Sequence, residues 1–171
     1  MRRASPFRAS REKIVSLEAA VRLADGYRAA GKRLVFTNGV YDLVHAGHVR
    51  YLEAARAEGD ALLVAVNSDR SARALSKGPE RPIVGEQDRA EVVAGLGCVD
   101  HVLVFDEPDP GRVIAAVRPA VLAKGADWAL EEIVGREVVE ASGGKVVRIP
   151  LVEGLSTTAL VQRILERYGR R

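Results

Sequence analysis

The chain has 171 residues, of which 47% are hydrophobic and 29% charged, the composition of one ordinary globular domain that buries a core without metal or disulfide staples. A single cysteine, Cys98, excludes an intramolecular disulfide, and no apolar run reaches the roughly 18 residues of a membrane span. The formal charge of +3 is carried largely by Arg2, Arg3, Arg8 and Arg11 at one end and Arg163, Arg167, Arg170 and Arg171 at the other. With a balanced middle and 5% aromatics to stack on bases, nucleic acid is not an expected partner. The leading arginines are not followed by an apolar segment of signal-peptide length, which predicts a cytoplasmic location and no membrane partner.

In chain order, residues 1–10 read as a loose tail. Ile14, Leu17, Ala20, Val21 and Ala24 then recur at helical spacing as far as Gly31, so residues 1–31 form a tail and leading helix before a domain spanning 32–171. Short continuous apolar runs follow at Leu34 to Thr37, Ala61 to Asn67, His101 to Phe105, Ala120 to Lys124 and Lys145 to Ile149. Such runs are strands buried on both faces. Helical patterns separate them: Ala46 to Glu58, Glu86 to Leu96, Pro110 to Val117 and Ala129 to Ala141, with a closing one from Thr157 to Tyr168. This rhythm predicts an α/β fold, a Rossmann-like parallel sheet with helices on both faces, whose ligand crevice lies at the carboxyl ends of the strands. Ser68 to Gly85 is the longest irregular stretch, and a loop of that length in a compact domain is more often functional than idle.

Two of the three histidines, His45 and His48, stand three residues apart at the start of the second helical pattern. That spacing puts both rings on one face, where a helix start adds unsatisfied N–H groups and partial positive charge. A zinc site would need a third ligand, from His101 or an acid, and no cysteine cluster or familiar spacing provides one. Capping or core packing accounts for one histidine more readily than for two beside a small residue. Gly47 between them keeps the helix face low, so that a nucleotide can approach the backbone while both imidazoles reach its phosphates.

These residues open a longer pattern: "TNGVYDLVHAGHVRYLEAAR", "LLVAVNSD", "KGPERPI" followed by Glu86 and Arg89, then "CVDHVLVF", "VLAKGADW" and "GLSTTALVQRI". In that order they resemble the D-glycero-β-D-manno-heptose 1-phosphate adenylyltransferases, members of the HxGH nucleotidyltransferase superfamily related to class I aminoacyl-tRNA synthetases. The similarity runs from about Arg33 to Leu165. In that family the domain is often fused to a sugar kinase, and no kinase half is expected within these residues.

The resemblance implies transfer of AMP from ATP to a sugar 1-phosphate by direct in-line attack, with release of pyrophosphate. The nucleophile is already an anionic oxygen, so the protein positions groups and neutralises charge rather than removing a proton. His45, His48 and Lys77 are the implied catalytic residues. Thr37, Asn38, Gly39, Gly47, Arg89, Lys124, Gly125, Ser156, Thr157 and Thr158 are implied to bind nucleotide with them. Asp42, Asn67, Asp69, Arg81, Asp127 and Trp128 are implied on the acceptor side. Gly154 allows a turn before Ser156 or Thr157 caps the last helix, a second anion-binding helix start. Mg2+ bridging the triphosphate is expected with few protein ligands, none of them named, and a homo-oligomer is expected.

The pattern departs from the heptose enzymes at Tyr41, where phenylalanine is usual, and at "KGADW", where two glycines and an aromatic are usual, so Ala126 and Trp128 bear on the acceptor pocket. Similar domains transfer CMP to glycerol 3-phosphate or to choline and ethanolamine phosphates, or AMP to flavin mononucleotide. Those generally carry an arginine shortly before the "ISTT"-like segment, where Leu151, Val152 and Glu153 stand here. A nucleotide sensor or scaffold on the same fold is the non-enzymatic alternative.

Overall fold

The computed structural model describes residues 8–75 and 81–169. The chain enters as a 3-10 turn, Ser10–Lys13, and helix α1, Leu17–Ala29, and then alternates: β1 Leu34–Gly39, α2 Ala46–Ala57, β2 Ala61–Asn67, α3 Asp69–Ala74, α4 Glu86–Gly95, β3 His101–Phe105, α5 Gly111–Val117, β4 Val121–Gly125, a 3-10 turn Leu130–Glu132, α6 Arg136–Ala141, β5 Lys145–Ile149 and α7 Thr157–Tyr168. All strand pairs are parallel, in the order β3-β2-β1-β4-β5. The order reverses between β1 and β4, which opens the crevice at their carboxyl ends.

Every residue of β2 is buried, as its unbroken apolar run requires. Side chains alternate between two cores. Leu34, Phe36, Leu63 and Ala65 pack with Ala20 and Ala24 of α1 and with Val113, Ile114 and Val139 of α5 and α6. Val35, Leu62, Val64 and Val66 pack on the other face with Leu52 and Ala55 of α2 and with Ala90 and Val93 of α4. Among the described residues no helix is long and apolar enough to cross a membrane.

The structure corrects the sequence reading in three places. Residues 1–7 of the expected loose tail lie outside the described residues, and residues 8–10 are docked, Arg8 donating to the Asp100 carbonyl and Ser10 Oγ to Glu91, each at 3.3 Å. Ile14, expected in the leading helix, instead bridges Val102, the Val15 N–H donates to the Val102 carbonyl at 2.8 Å, and Lys13 Nζ donates to the Val99 carbonyl at 2.9 Å. The strap covers the β3 edge, and α1 begins only at Leu17. The stretch 68–85 contains α3, capped by Ser68 Oγ, which accepts from the Ser71 N–H at 3.0 Å. The helix expected over 129–141 is broken at Gly135, whose φ of +87° and close approach to Ile114, 2.7 Å from where a Cβ would stand, admit only glycine.

Candidate active site

A crevice of about 480 Å3 lies at the carboxyl ends of β1, β2 and β4, walled by the β1–α2 turn on one side and by the residues before and within the start of α7 on the other. β1 runs two residues past its apolar stretch and delivers Asn38 and Gly39 to the floor. The chain then turns sharply: Tyr41 and Leu43 both adopt left-handed backbone, at φ +53° and +50°. Such conformations persist in non-glycine residues only where the surroundings impose them. Here the imposing residue is Arg89 of α4, 1% exposed, whose three nitrogens donate to the Val84 carbonyl, the Val40 carbonyl and Asp69 Oδ1.

That turn sets the histidine pair. His45 is the N-cap of α2, and its Nδ1 accepts from the Gly47 N–H at 3.1 Å. His48 Nδ1 accepts from the His45 N–H at 3.4 Å. With each Nδ1 used as an acceptor, the neutral rings carry their proton on Nε2, so both are donors at their outer edge. The rings lie 4.0 Å apart, centroid to centroid, and the edge of Tyr41 braces His48 at 5.4 Å. Burial lowers the pKa of His45, which keeps the ring neutral at pH 7. Gly47 is required: a Cβ there would stand 2.9 Å from the His45 ring and 3.1 Å from Leu155 Cβ.

Lys124, at the end of β4, reaches across the switch point and donates to Asn38 Oδ1. Burial pushes its pKa down to about 8, partly offset by the Asp109 carboxylate. On the opposite side the Arg81 guanidinium pairs with Asp42 at 2.8 Å. Ser156 caps α7, its Oγ accepting from the Ala159 N–H at 3.1 Å, and Thr157 Oγ1 donates to the Asp42 carbonyl at 2.7 Å. Asp42 therefore ties three parts of the rim together, because its carboxylate also accepts from the Ile83 and Val84 N–H groups, each at 3.0 Å.

Of the residues singled out in the sequence, Asn38, Gly39, Asp42, His45, Gly47, His48, Asn67, Arg81, Lys124, Gly125, Asp127, Trp128, Ser156, Thr157 and Thr158 line this crevice. Lys77 lies outside the described residues. Three others do not line it. Thr37 is fully buried with its hydroxyl 2.8 Å from that of Tyr51, and Tyr51 lines the crevice in its place. Arg89 spends its guanidinium on backbone and on Asp69, and Asp69 thereby becomes a brace for α4 instead of an acceptor contact. Asp42 is present, but its carboxylate is engaged by the protein and acts through Arg81. The sequence reading missed Tyr51, Asp109 and Leu155. Tyr51 and Leu155 both stand inside the quoted stretches, and only Asp109 had no local signal.

The profile of the Cytidylyltransferase-like family matches residues 36–163, from the middle of β1 to α7. The chain belongs to the cytidylyltransferase-like family of nucleotidyltransferases. Two relatives of this family member are each named Bifunctional protein HldE. The one from Pelobacter propionicus is 50% identical over 160 residues, 94% of this chain and 33% of that protein. The one from Syntrophotalea carbinolica is 52% identical over 141 residues, 82% of this chain and 29% of that protein. The chain thus spans about a third of the length of the curated relatives it matches. Among solved structures, the lipopolysaccharide core biosynthesis protein from Thermoplasma volcanium GSS1 superposes with a TM-score of 0.60 at 29% identity, over 71% of this chain and 98% of that one. A pantoate-beta-alanine ligase from Francisella tularensis shares the fold, with a TM-score of 0.57 at 14% identity over 92% of this chain and 79% of its own.

Proposed function

We propose that this domain transfers AMP from ATP to a sugar 1-phosphate, D-glycero-β-D-manno-heptose 1-phosphate, giving the ADP-sugar and pyrophosphate. The observation that carries the reading is the histidine pair, locked by backbone N–H groups at a helix start, facing a crevice that also holds Lys124 and Arg81. The heptose acceptor rests on the ordered motifs quoted above and on the high identity to the HldE proteins.

An oxygen of the acceptor phosphate attacks the α-phosphorus of ATP, the new P–O bond forms as the bond to the bridging oxygen breaks, and pyrophosphate leaves. No side chain removes a proton. His48, at the third position of α2 and braced by Tyr41, donates to the α-phosphate as its charge rises. His45 and Lys124 hold the departing phosphates. Fixed donors of this kind cost no reorganisation during reaction, which is why they stabilise a transition state more than water does. The donor set, imidazole and ammonium in place of clustered carboxylates, suits the phosphates of Mg·ATP, and magnesium comes as part of that substrate with its oxygens and waters as chief ligands. Exposed Ile164, Leu165 and Tyr168 on α7 support assembly of the chain with further copies of itself.

The test is pyrophosphate release with magnesium, each of ATP, CTP and GTP, and four acceptors: heptose 1-phosphate, glycerol 3-phosphate, phosphocholine and flavin mononucleotide. Release with ATP and the heptose phosphate alone is expected. ATP binding with no release for any acceptor would favour a sensor.

A further inference from the structure

Asn67 ends β2 on the crevice floor and is 2% exposed. Its amide is held one way round. Ser71 Oγ donates its single hydrogen to the Glu107 carbonyl at 2.6 Å. Toward Asn67 that hydroxyl can therefore only accept, and Asn67 Nδ2 donates to it at 2.9 Å. The arrangement fixes Oδ1 on the other side of the amide, where no donor among the described residues reaches it. Native interiors leave few buried polar atoms unpaired, and this one belongs to a residue that lines a ligand crevice.

The chemistry of the missing partner follows from the atom. An amide oxygen accepts and cannot donate, so it cannot hold a phosphate oxygen, which at neutral pH is itself an acceptor. It calls for a hydroxyl or an amine. The crevice also presents the Arg81 guanidinium, whose Nε lies 2.8 Å from the Asp42 carboxylate as an ion pair without hydrogen-bond geometry, and which offers positive charge to an anion. A fixed acceptor together with a cation matches a hydroxyl-bearing phosphate ester.

We propose that Asn67 determines acceptor specificity: its Oδ1 accepts a hydrogen bond from a ring or side-chain hydroxyl of the sugar phosphate, in an orientation locked by Ser71 and the Glu107 carbonyl. The proposal rests on the nucleotidyl-transfer reading above and adds the atom that reads the acceptor. A site built around a substrate hydroxyl rejects analogues lacking it, because the protein atom is then left unpaired.

Steady-state kinetics with ATP and heptose 1-phosphate test this in the wild type, Asn67→Ala and Ser71→Ala, with thermal melts to show that each variant folds. For Asn67→Ala the acceptor KM rises roughly 10- to 100-fold while the ATP KM stays within about 2-fold. Ser71→Ala keeps the amide but frees it to turn over, and the same constant rises by a smaller factor. In a series of monodeoxy acceptors, one analogue is discriminated against by the wild type and no longer by Asn67→Ala. An unchanged acceptor KM in Asn67→Ala, or an equal rise in the ATP KM, overturns the proposal and leaves the functional reading standing. Wild-type protein that makes no product from any sugar phosphate overturns the functional reading itself, and the assignment of Asn67 with it.

Discussion

The two walls of the crevice are built on opposite terms. The β1–α2 wall is over-determined: two left-handed residues in the turn, a fully buried arginine on the Val40 carbonyl, a carboxylate that accepts from two main-chain N–H groups and forms an ion pair with Arg81, and imidazoles pinned by main-chain N–H. The α7 wall hangs on little. Thr157 ties it to Asp42, but α7 buries none of its residues, and Leu165 and Tyr168 are 61% and 73% exposed. Under the proposed function the first wall is the one suited to chemistry, where donors must sit still, and the second is able to adjust around whatever lies in the crevice.

Breaking the rigid wall should produce the largest effects. His48→Ala should lower kcat by roughly 100- to 1,000-fold with little change in thermal stability; a matching loss in ATP affinity alone would show that His48 binds and does not act in the transition state. Arg89→Met should instead destabilise the fold by about 2–4 kcal/mol, because two carbonyls and Asp69 lose their buried donor, and denaturant melts would read it. An unaltered melt with a raised ATP KM would restore Arg89 to the nucleotide.

Lys124 sharpens the comparison from the floor between the walls. With a pKa of about 8, the side chain is charged below that pH and neutral above it, so phosphate attraction falls as pH rises. Between pH 7 and pH 9, kcat/KM for ATP should drop roughly 10-fold in the wild type. Lys124→Arg, which stays charged, should flatten that limb. The smallest effect is expected on the loose wall: Thr157→Val should cost about 0.5–1.5 kcal/mol and show as faster hydrogen exchange confined to the first turn of α7.

What was legible in the sequence follows the same physics. Four strands stood out as largely buried apolar runs, whereas β5, expected to be buried on both faces, lies at the sheet edge with Lys145 and Arg148 exposed and only Ile149 buried. The alternation of strands with helices dictated a parallel sheet. α3 was invisible since Asp69–Ala74 has no apolar period; a serine cap and the Glu86 carboxylate on the Asp69 N–H hold it. The histidines and Gly47 were readable from spacing alone. Arg89 was misplaced because its partners, Val40, Asp69 and Val84, are distant or unremarkable in sequence and meet only in the fold. Thr37 and Tyr51 exchanged roles for a related reason. A hydroxyl at a strand end reads as a ligand contact, whereas here the tyrosine one helix away covers it and faces the crevice.

The most direct test of the account is to run the reaction with heptose 1-phosphate carrying 18O in the phosphate and to weigh both products. Attack by the acceptor oxygen at the α-phosphorus predicts that all the label is found in the ADP-sugar and none in pyrophosphate. Label in pyrophosphate, or ATP consumed with no labelled sugar nucleotide, would contradict direct transfer in this crevice.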